Sequence, residues 1–80
     1  APMYTRNILE AAMRSHAVSV ILAHNHPRGL ALPSNADMLA TRAVFDALTA
    51  AKIRLADHLI FAGSDYVSMR DSGFFSFERP

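Results

Sequence analysis

Hydrophobic residues recur along the chain with two different periods. Residues 5–15 carry apolar side chains at every third or fourth position with charged residues between them, which predicts a helix capped by Thr5. Residues 17–23 are almost uniformly apolar and rich in β-branched side chains, a pattern typical of a central strand covered on both faces. The C-terminal end of the predicted strand therefore lies at His24.

A loop and a long helix are predicted to follow. Residues 25–34 contain asparagine, glycine and two prolines, and at about ten residues they are long for a simple connection. Ser34-Asn-Ala-Asp37 is a helix-start pattern, and the helix is predicted to run to about Lys52. One stripe of this helix is predicted to face the core: Met38, Thr41, Val44, Phe45, Leu48 and Ala51.

Two short strand-like segments complete the pattern. Residues 57–62 and 65–70 are separated by Gly63-Ser64, which predicts a β-hairpin. Helix, strand, helix and strand pair together predict an α/β fold with a small mixed sheet flanked by helices. The segment Phe74–Phe77 is too apolar for a free terminus, so we expect it to pack on the domain or on a second subunit.

Composition narrows the class of protein. The chain has 80 residues, which allows a single domain over residues 1–80 with marginal stability of its own, so a fragment or an obligate oligomer is expected. With 51% hydrophobic and 19% charged residues, the chain is globular rather than disordered. The net charge of +1 and the scattered Lys and Arg residues give no signal for nucleic-acid binding.

The cysteine count and the length of the apolar runs indicate in which cellular compartment the protein is expected. The chain has no cysteine, which excludes disulfides and thiolate ligands and suits a cytoplasmic protein. The longest apolar run, around residues 17–23, is too short to span a bilayer, and the N-terminus lacks a signal-peptide pattern. We therefore expect a soluble cytoplasmic protein in which any metal is held by histidine and carboxylate.

Candidate chemistry follows the predicted strand. His24 and His26 are two residues apart, so both imidazoles leave the strand on one face. Asp37 shares a helix face with Thr41 and Val44, so its carboxylate is predicted to point inward, where an unpaired charge is costly. A cation held between the two imidazoles and the carboxylate would compensate the buried negative charge. Two histidines and one carboxylate leave a fourth position to water, the arrangement of catalytic zinc, whereas magnesium and calcium prefer oxygen ligands.

Other residues in this region have more than one interpretation. Ser34 can donate to an oxyanion on a substrate carbonyl, and Ser34-x-x-Asp37 also fits a capping box with Asp in place of Glu or Gln. The two histidines alone also fit polar residues that face solvent at a strand end. His58 is predicted to be a hydrogen-bonded structural histidine, with a metal ligand or a base as the alternative. Glu10 lies in the first predicted helix, so no residue is clearly placed as the general base.

The chain resembles the JAMM (MPN-plus) metalloproteases in one signature. This signature is His24-x-His26, followed after seven residues by Ser34-x-x-Asp37. The chain looks like the bacterial RadC-like branch of that family. The residues that carry this closer resemblance are Ala23-His-Asn-His-Pro27, Gly29, Pro33-Ser34, Thr5-Arg6, Ala11-Ala12, Asp57-His58-Leu59-Ile60 and Tyr66-Val67-Ser68.

The resemblance implies a JAMM/MPN fold related to the cytidine deaminase-like sandwiches. It also implies that His24, His26 and Asp37 are Zn²⁺ ligands and that Ser34 assists the oxyanion. The family's general base is a glutamate on an early strand, upstream of the first helix of this chain, and no residue here matches it. The chain therefore looks like the C-terminal two-thirds of the domain, truncated at the N-terminus, with an open sheet edge that invites pairing with another copy.

The leading hypothesis is a RadC-like JAMM domain that uses zinc to hydrolyse an amide or isopeptide bond in a protein or peptide, with the base supplied from outside this chain. The alternative is a non-catalytic metal-binding or scaffold module associated with DNA repair, a label that RadC-like proteins carry. A nucleic-acid binder ranks last because the chain has no basic stripe and no stacking platform. A homo-oligomer through the sheet edge or the Phe74–Phe77 tail is a further hypothesis.

Overall fold

The strands form one mixed sheet. In the computed structural model, which describes residues 4–78, the elements are α1 Thr5–Arg14, β1 Ser19–Asn25, α2 Asn35–Ala50, β2 Arg54–Ala62 and β3 Asp65–Ser68. β1 pairs in parallel with β2, and β2 pairs antiparallel with β3. The predicted α/β fold with a small mixed sheet is confirmed. None of the helices within residues 4–78 has the length and apolarity needed to cross a membrane.

The core lies between α2 and one face of the sheet. Helix α2 connects the parallel strands β1 and β2 and packs against β2, while α1 packs against α2. Thr41, Val44 and Leu48 on α2 are fully buried, as the predicted stripe requires. The buried apolar residues are Ala12, Val44, Leu48, Ile53, Leu55, Ile60, Met69 and Phe75. Phe75 belongs to the Phe74–Phe77 tail, so this tail packs on the core of its own chain.

The prediction that the first strand is covered on both faces is wrong for the residues described. β1 lies at the edge of the sheet, and its side chains alternate between half-buried and exposed, with Ile21 62% exposed. Val20 and Leu22 pack against the core on the other face. The strand also begins and ends two residues later than predicted, at Ser19 and Asn25. Uniform apolarity lacks the alternation that identifies a covered face, so it could not distinguish these cases.

Backbone hydrogen bonds determine where the elements end. The His26 N–H donates to the Phe61 carbonyl at 2.7 Å, and Pro27, which has no N–H, ends the ladder. Helix α1 begins at Thr5 and is not capped by it, because Tyr4 is the N-cap residue and its side chain makes no capping bond. The predicted hairpin is present, but β2 begins three residues earlier and β3 ends two residues earlier than predicted. Pairing, rather than the local pattern, sets these ends.

The sheet face opposite the helices carries exposed apolar side chains. Ile21 on β1, Phe61 on β2 and Tyr66 on β3 share this face, as the strand register shows. Phe61 is 36% exposed and Tyr66 is 63% exposed, and their rings stack with centroids 5.7 Å apart. Only the other face of the sheet therefore contributes to the hydrophobic core of the described residues.

Asp57 ties β2 to the last residue of β3 and to Arg70 just beyond it. Its carboxylate accepts hydrogen bonds from the His58 N–H at 2.7 Å, from the Arg70 N–H at 3.0 Å and from the Ser68 hydroxyl. Burial alone would raise the pKa of Asp57, but these hydrogen bonds and the charge of Arg70 outweigh it and hold the pKa below its ordinary value. The fold therefore stabilises the ionised form of the Asp57 carboxylate.

The stability that Asp57 contributes is expected to depend on pH. A carboxylate whose pKa falls on folding adds stability above its unfolded pKa of about 4, and this stability is lost as the pH falls through the lower folded pKa. Asp57→Asn is expected to lower the free energy of unfolding by about 1–2 kcal/mol at neutral pH and by less at acidic pH. Urea unfolding followed by circular dichroism at several pH values measures this difference.

The control removes one negative charge from an exposed position of the same sheet. Asp65→Asn on β3 is expected to change the free energy of unfolding by less than about 0.5 kcal/mol. If Asp57→Asn were equally destabilising at neutral and acidic pH, the ionised carboxylate would not be the stabilising form.

Candidate metal centre

One loop brings the candidate ligands together. His24 lies near the end of β1, His26 follows that strand, and Asp37 lies in the first turn of α2. His24 Nδ1 is 3.2 Å from Asp37 Oδ1, and His26 Nε2 is 2.9 Å from Asp37 Oδ2. One ligand atom from each of the three residues lies within 4.8 Å of the other two. The three side chains that the sequence spacing indicates are thus close enough to hold one metal ion.

The loop orients the ring of His26. His26 Nδ1 lies 3.2 Å from the Leu30 carbonyl oxygen, which can only accept a hydrogen bond, so this nitrogen carries the proton. In a neutral ring, Nε2 then directs a lone pair at the Asp37 carboxylate, 2.9 Å away. Two acceptors at that distance require a proton or a cation between them. A divalent metal ion meets this requirement, and imidazole nitrogen with carboxylate oxygen suits zinc and related ions.

Asp37 is held by the helix that it helps to start. The residue is 5% exposed, and its Oδ2 accepts from the Ser34 N–H at 2.8 Å while its own N–H donates to Ser34 Oγ at 3.0 Å. The capping-box interpretation of this sequence is therefore confirmed. Burial alone would raise the pKa of Asp37, but hydrogen bonds from Ser34 and the neighbouring imidazoles of His26 and His24 outweigh it and lower the pKa. The carboxylate is ionised at neutral pH and faces the two histidines.

Ser34 is placed to offer one hydrogen bond beside these ligands. Its Oγ accepts a hydrogen bond from the Asp37 N–H, and a hydroxyl that accepts in this way can still donate its own hydrogen. The residue is exposed at the N-terminus of α2, where the free N–H groups also favour negative charge. The cap does not prevent this hydroxyl from donating to a ligand.

Thr41 and His58 form a buried polar contact next to the centre. The prediction of His58 as a hydrogen-bonded histidine is confirmed, whereas its partner Thr41 was not predicted. Thr41 Oγ1 lies 2.7 Å from His58 Nδ1 and 2.6 Å from the Asp37 carbonyl oxygen, and both residues are fully buried. The His58 ring stacks near that of His24, with centroids 6.3 Å apart. Burial lowers the pKa of His58 although the charge of Asp37 opposes it, so the ring is neutral. The available signal was a hydroxyl on the core stripe of α2, because a buried hydroxyl needs a partner.

The two glutamates are engaged elsewhere within the described part of the chain. Glu10 on α1 pairs with Arg6 at 2.8 Å on the helix surface. Glu78 pairs with Arg70, with Nη2 2.9 Å from Oε2. The cluster of His24, His26 and Asp37 accordingly has no glutamate beside it within residues 4–78.

The fold and the site together define a class of protein. The described residues form a small α/β fold in which an edge strand and the residue after it supply two histidines, and the following crossover helix supplies an aspartate, forming a candidate metal centre.

Comparison with known proteins gives the family. The model of the RadC-like JAB domain matches residues 1–74, and the chain belongs to this family. A UPF0758 protein of Bordetella petrii is 51% identical over 73 residues, which cover 91% of this chain and 32% of that protein. A UPF0758 protein of Photobacterium profundum is 42% identical over 74 residues, covering 92% of this chain and 33% of that protein. The chain thus spans about a third of the length of these curated relatives.

Proposed function

We propose that this chain carries the metal-binding part of a zinc-dependent hydrolase that cleaves an amide or isopeptide bond in a protein or peptide. The observation that supports the proposal is the buried Asp37 carboxylate, whose two oxygens face imidazole nitrogens of His24 and His26 at 3.2 and 2.9 Å. Two histidines and one carboxylate form a three-ligand set, which is the composition of catalytic rather than closed structural zinc sites.

The residues of the centre have distinct roles in this proposal. A bound zinc ion would supply a Lewis acid that activates water for attack on a carbonyl near neutral pH. His24 and His26 would present neutral nitrogens and Asp37 a charged oxygen. The Ser34 hydroxyl would donate to the substrate oxygen that gains negative charge.

A proton acceptor for the water is still required. Because Glu10 and Glu78 pair with arginines away from the centre, we place this base in a part of the protein outside the present chain. The curated relatives have room for it, since this chain matches about a third of their length. We also place the protein in the cytoplasm, where a cysteine-free chain is common.

The engagement of both glutamates also favours a second candidate, a non-catalytic metal-binding or scaffold module with a place in DNA repair. In that case the same three residues would bind metal without turnover. The two candidates differ in whether a zinc-loaded protein breaks a bond.

Hydrolysis in ¹⁸O-labelled water tests the proposal. The protein as expressed from its gene is loaded with zinc and incubated with peptides and isopeptide-linked conjugates, and mass spectrometry detects ¹⁸O in a new carboxylate. We expect cleavage that falls by about a hundredfold or more in Ser34→Ala, because one oxyanion donor is lost while zinc stays bound.

Asp37→Asn removes one of the proposed metal ligands. We expect its cleavage activity to fall to the level that the wild-type protein shows in the presence of a chelator. Cleavage that survives in Asp37→Asn would show that another centre is responsible. Stoichiometric zinc without cleavage of any substrate would reject the hydrolase and favour the non-catalytic module.

A further inference from the structure

The hydrogen of the Thr41 hydroxyl can be assigned from two short contacts. Thr41 Oγ1 lies 2.6 Å from the Asp37 carbonyl oxygen and 2.7 Å from His58 Nδ1. Two oxygens at 2.6 Å would repel each other without a hydrogen between them, so the hydroxyl donates to the Asp37 carbonyl. His58 Nδ1 must then carry a proton and donate to Thr41. The two side chains form a directed link from the sheet to the backbone of Asp37.

This assignment leaves the other nitrogen of His58 as an unpaired acceptor. His58 is 0% exposed, and its Nε2 has no hydrogen-bond partner among residues 4–78. An unpaired buried polar atom lowers stability, and an apolar side chain of similar volume would avoid that cost. Stability alone therefore does not account for a histidine at this position. The His58 ring lies beside that of His24. Its Nδ1–H donates to Thr41, whose hydroxyl donates to the Asp37 carbonyl.

We propose that Thr41 and His58 are positioning residues of the metal centre. The link holds the Asp37 carbonyl, which is part of the first turn of α2, and so directs the carboxylate of the same residue toward His24 and His26. Hydrogen bonds behind metal ligands commonly orient them in this way. The inference rests on the proposed metal centre but does not require that the centre hydrolyse anything.

Metal affinity measured by spectroscopy tests the link. Thr41→Val removes the hydroxyl with little change of shape, and His58→Leu removes the ring nitrogens at similar volume. We expect each to weaken Co²⁺ and Zn²⁺ binding by about 10–100-fold in chelator competition and to alter the visible d–d bands of the Co²⁺ form. Thr41→Ser and His58→Asn keep a hydrogen-bonding group at the same place, so we expect them to restore most of the affinity.

A matched core variant separates positioning from general destabilisation. Val44→Ala, one turn further along α2 and also fully buried, should lower the urea midpoint while leaving metal affinity unchanged. By contrast, His58→Leu should keep its urea midpoint and lose affinity. Unchanged affinity in Thr41→Val and His58→Leu, or affinity that falls in proportion to stability in all the variants, would overturn the inference. A wild-type protein that binds neither ion would overturn the metal centre itself, and the inference with it.

Discussion

Replacing His26 with asparagine is expected to reduce bound zinc from about one ion per chain to almost none. The substitution removes the Nε2 atom that faces Asp37 Oδ2 at 2.9 Å and leaves two ligands, too few for tight binding at neutral pH. Elemental analysis of protein dialysed against buffer with trace zinc measures the ratio. Circular dichroism establishes that the variant remains folded.

His16 offers a matched control for this experiment. It is exposed, lies outside the cluster and has a φ of 55°, which asparagine adopts more readily than most residues. His16→Asn should therefore keep the zinc content of the wild type. A folded His26→Asn protein that retained the full amount of zinc would show that the ion lies elsewhere.

Truncating Leu48 to alanine is expected to be the most destabilising single change in the core. Leu48 is 0% exposed, and its loss should lower the free energy of unfolding by about 2–5 kcal/mol through lost burial and a residual cavity. A domain of 80 residues has a total of about 4–12 kcal/mol, so this variant would be close to unfolding. Urea unfolding in the presence of a chelator measures the change without a contribution from bound metal.

The same helix carries the control for this substitution. Leu39 is 74% exposed, so Leu39→Ala makes the same chemical change in water and should alter the free energy of unfolding by less than about 0.5 kcal/mol. Equal effects of the two substitutions would mean that α2 does not pack on the sheet as described.

The sequence was informative about the fold wherever a local period determines the direction of a side chain. Helix α2 could be predicted because buried positions repeat on one face and Ser34 caps its start. β1 could be predicted as a strand, but the exposure of Ile21 could not, because its position at the sheet edge depends on which strands pair with it. Sheet order is a long-range property that no local pattern records.

The same distinction holds within the candidate site. Strand and helix periods indicate that His24, His26 and Asp37 can converge before the fold is known. The contact between Thr41 and His58 joins residues 17 positions apart and depends on how α2 packs against β2. The Leu30 carbonyl that orients His26 depends on the backbone of a loop, to which side-chain patterns are a poor guide.

The capping box at the start of α2 and the candidate metal centre share the side chain at position 37. A capping box ordinarily has glutamate or glutamine at this position, because the longer side chain reaches back to the N-cap N–H. Aspartate closes the box here through Oδ2, the oxygen that also faces His26. A glutamate would extend the carboxyl group by one methylene and change its distance to both imidazoles. The length of one side chain therefore sets both the closure of the helix cap and the distance from the carboxylate to the histidine pair.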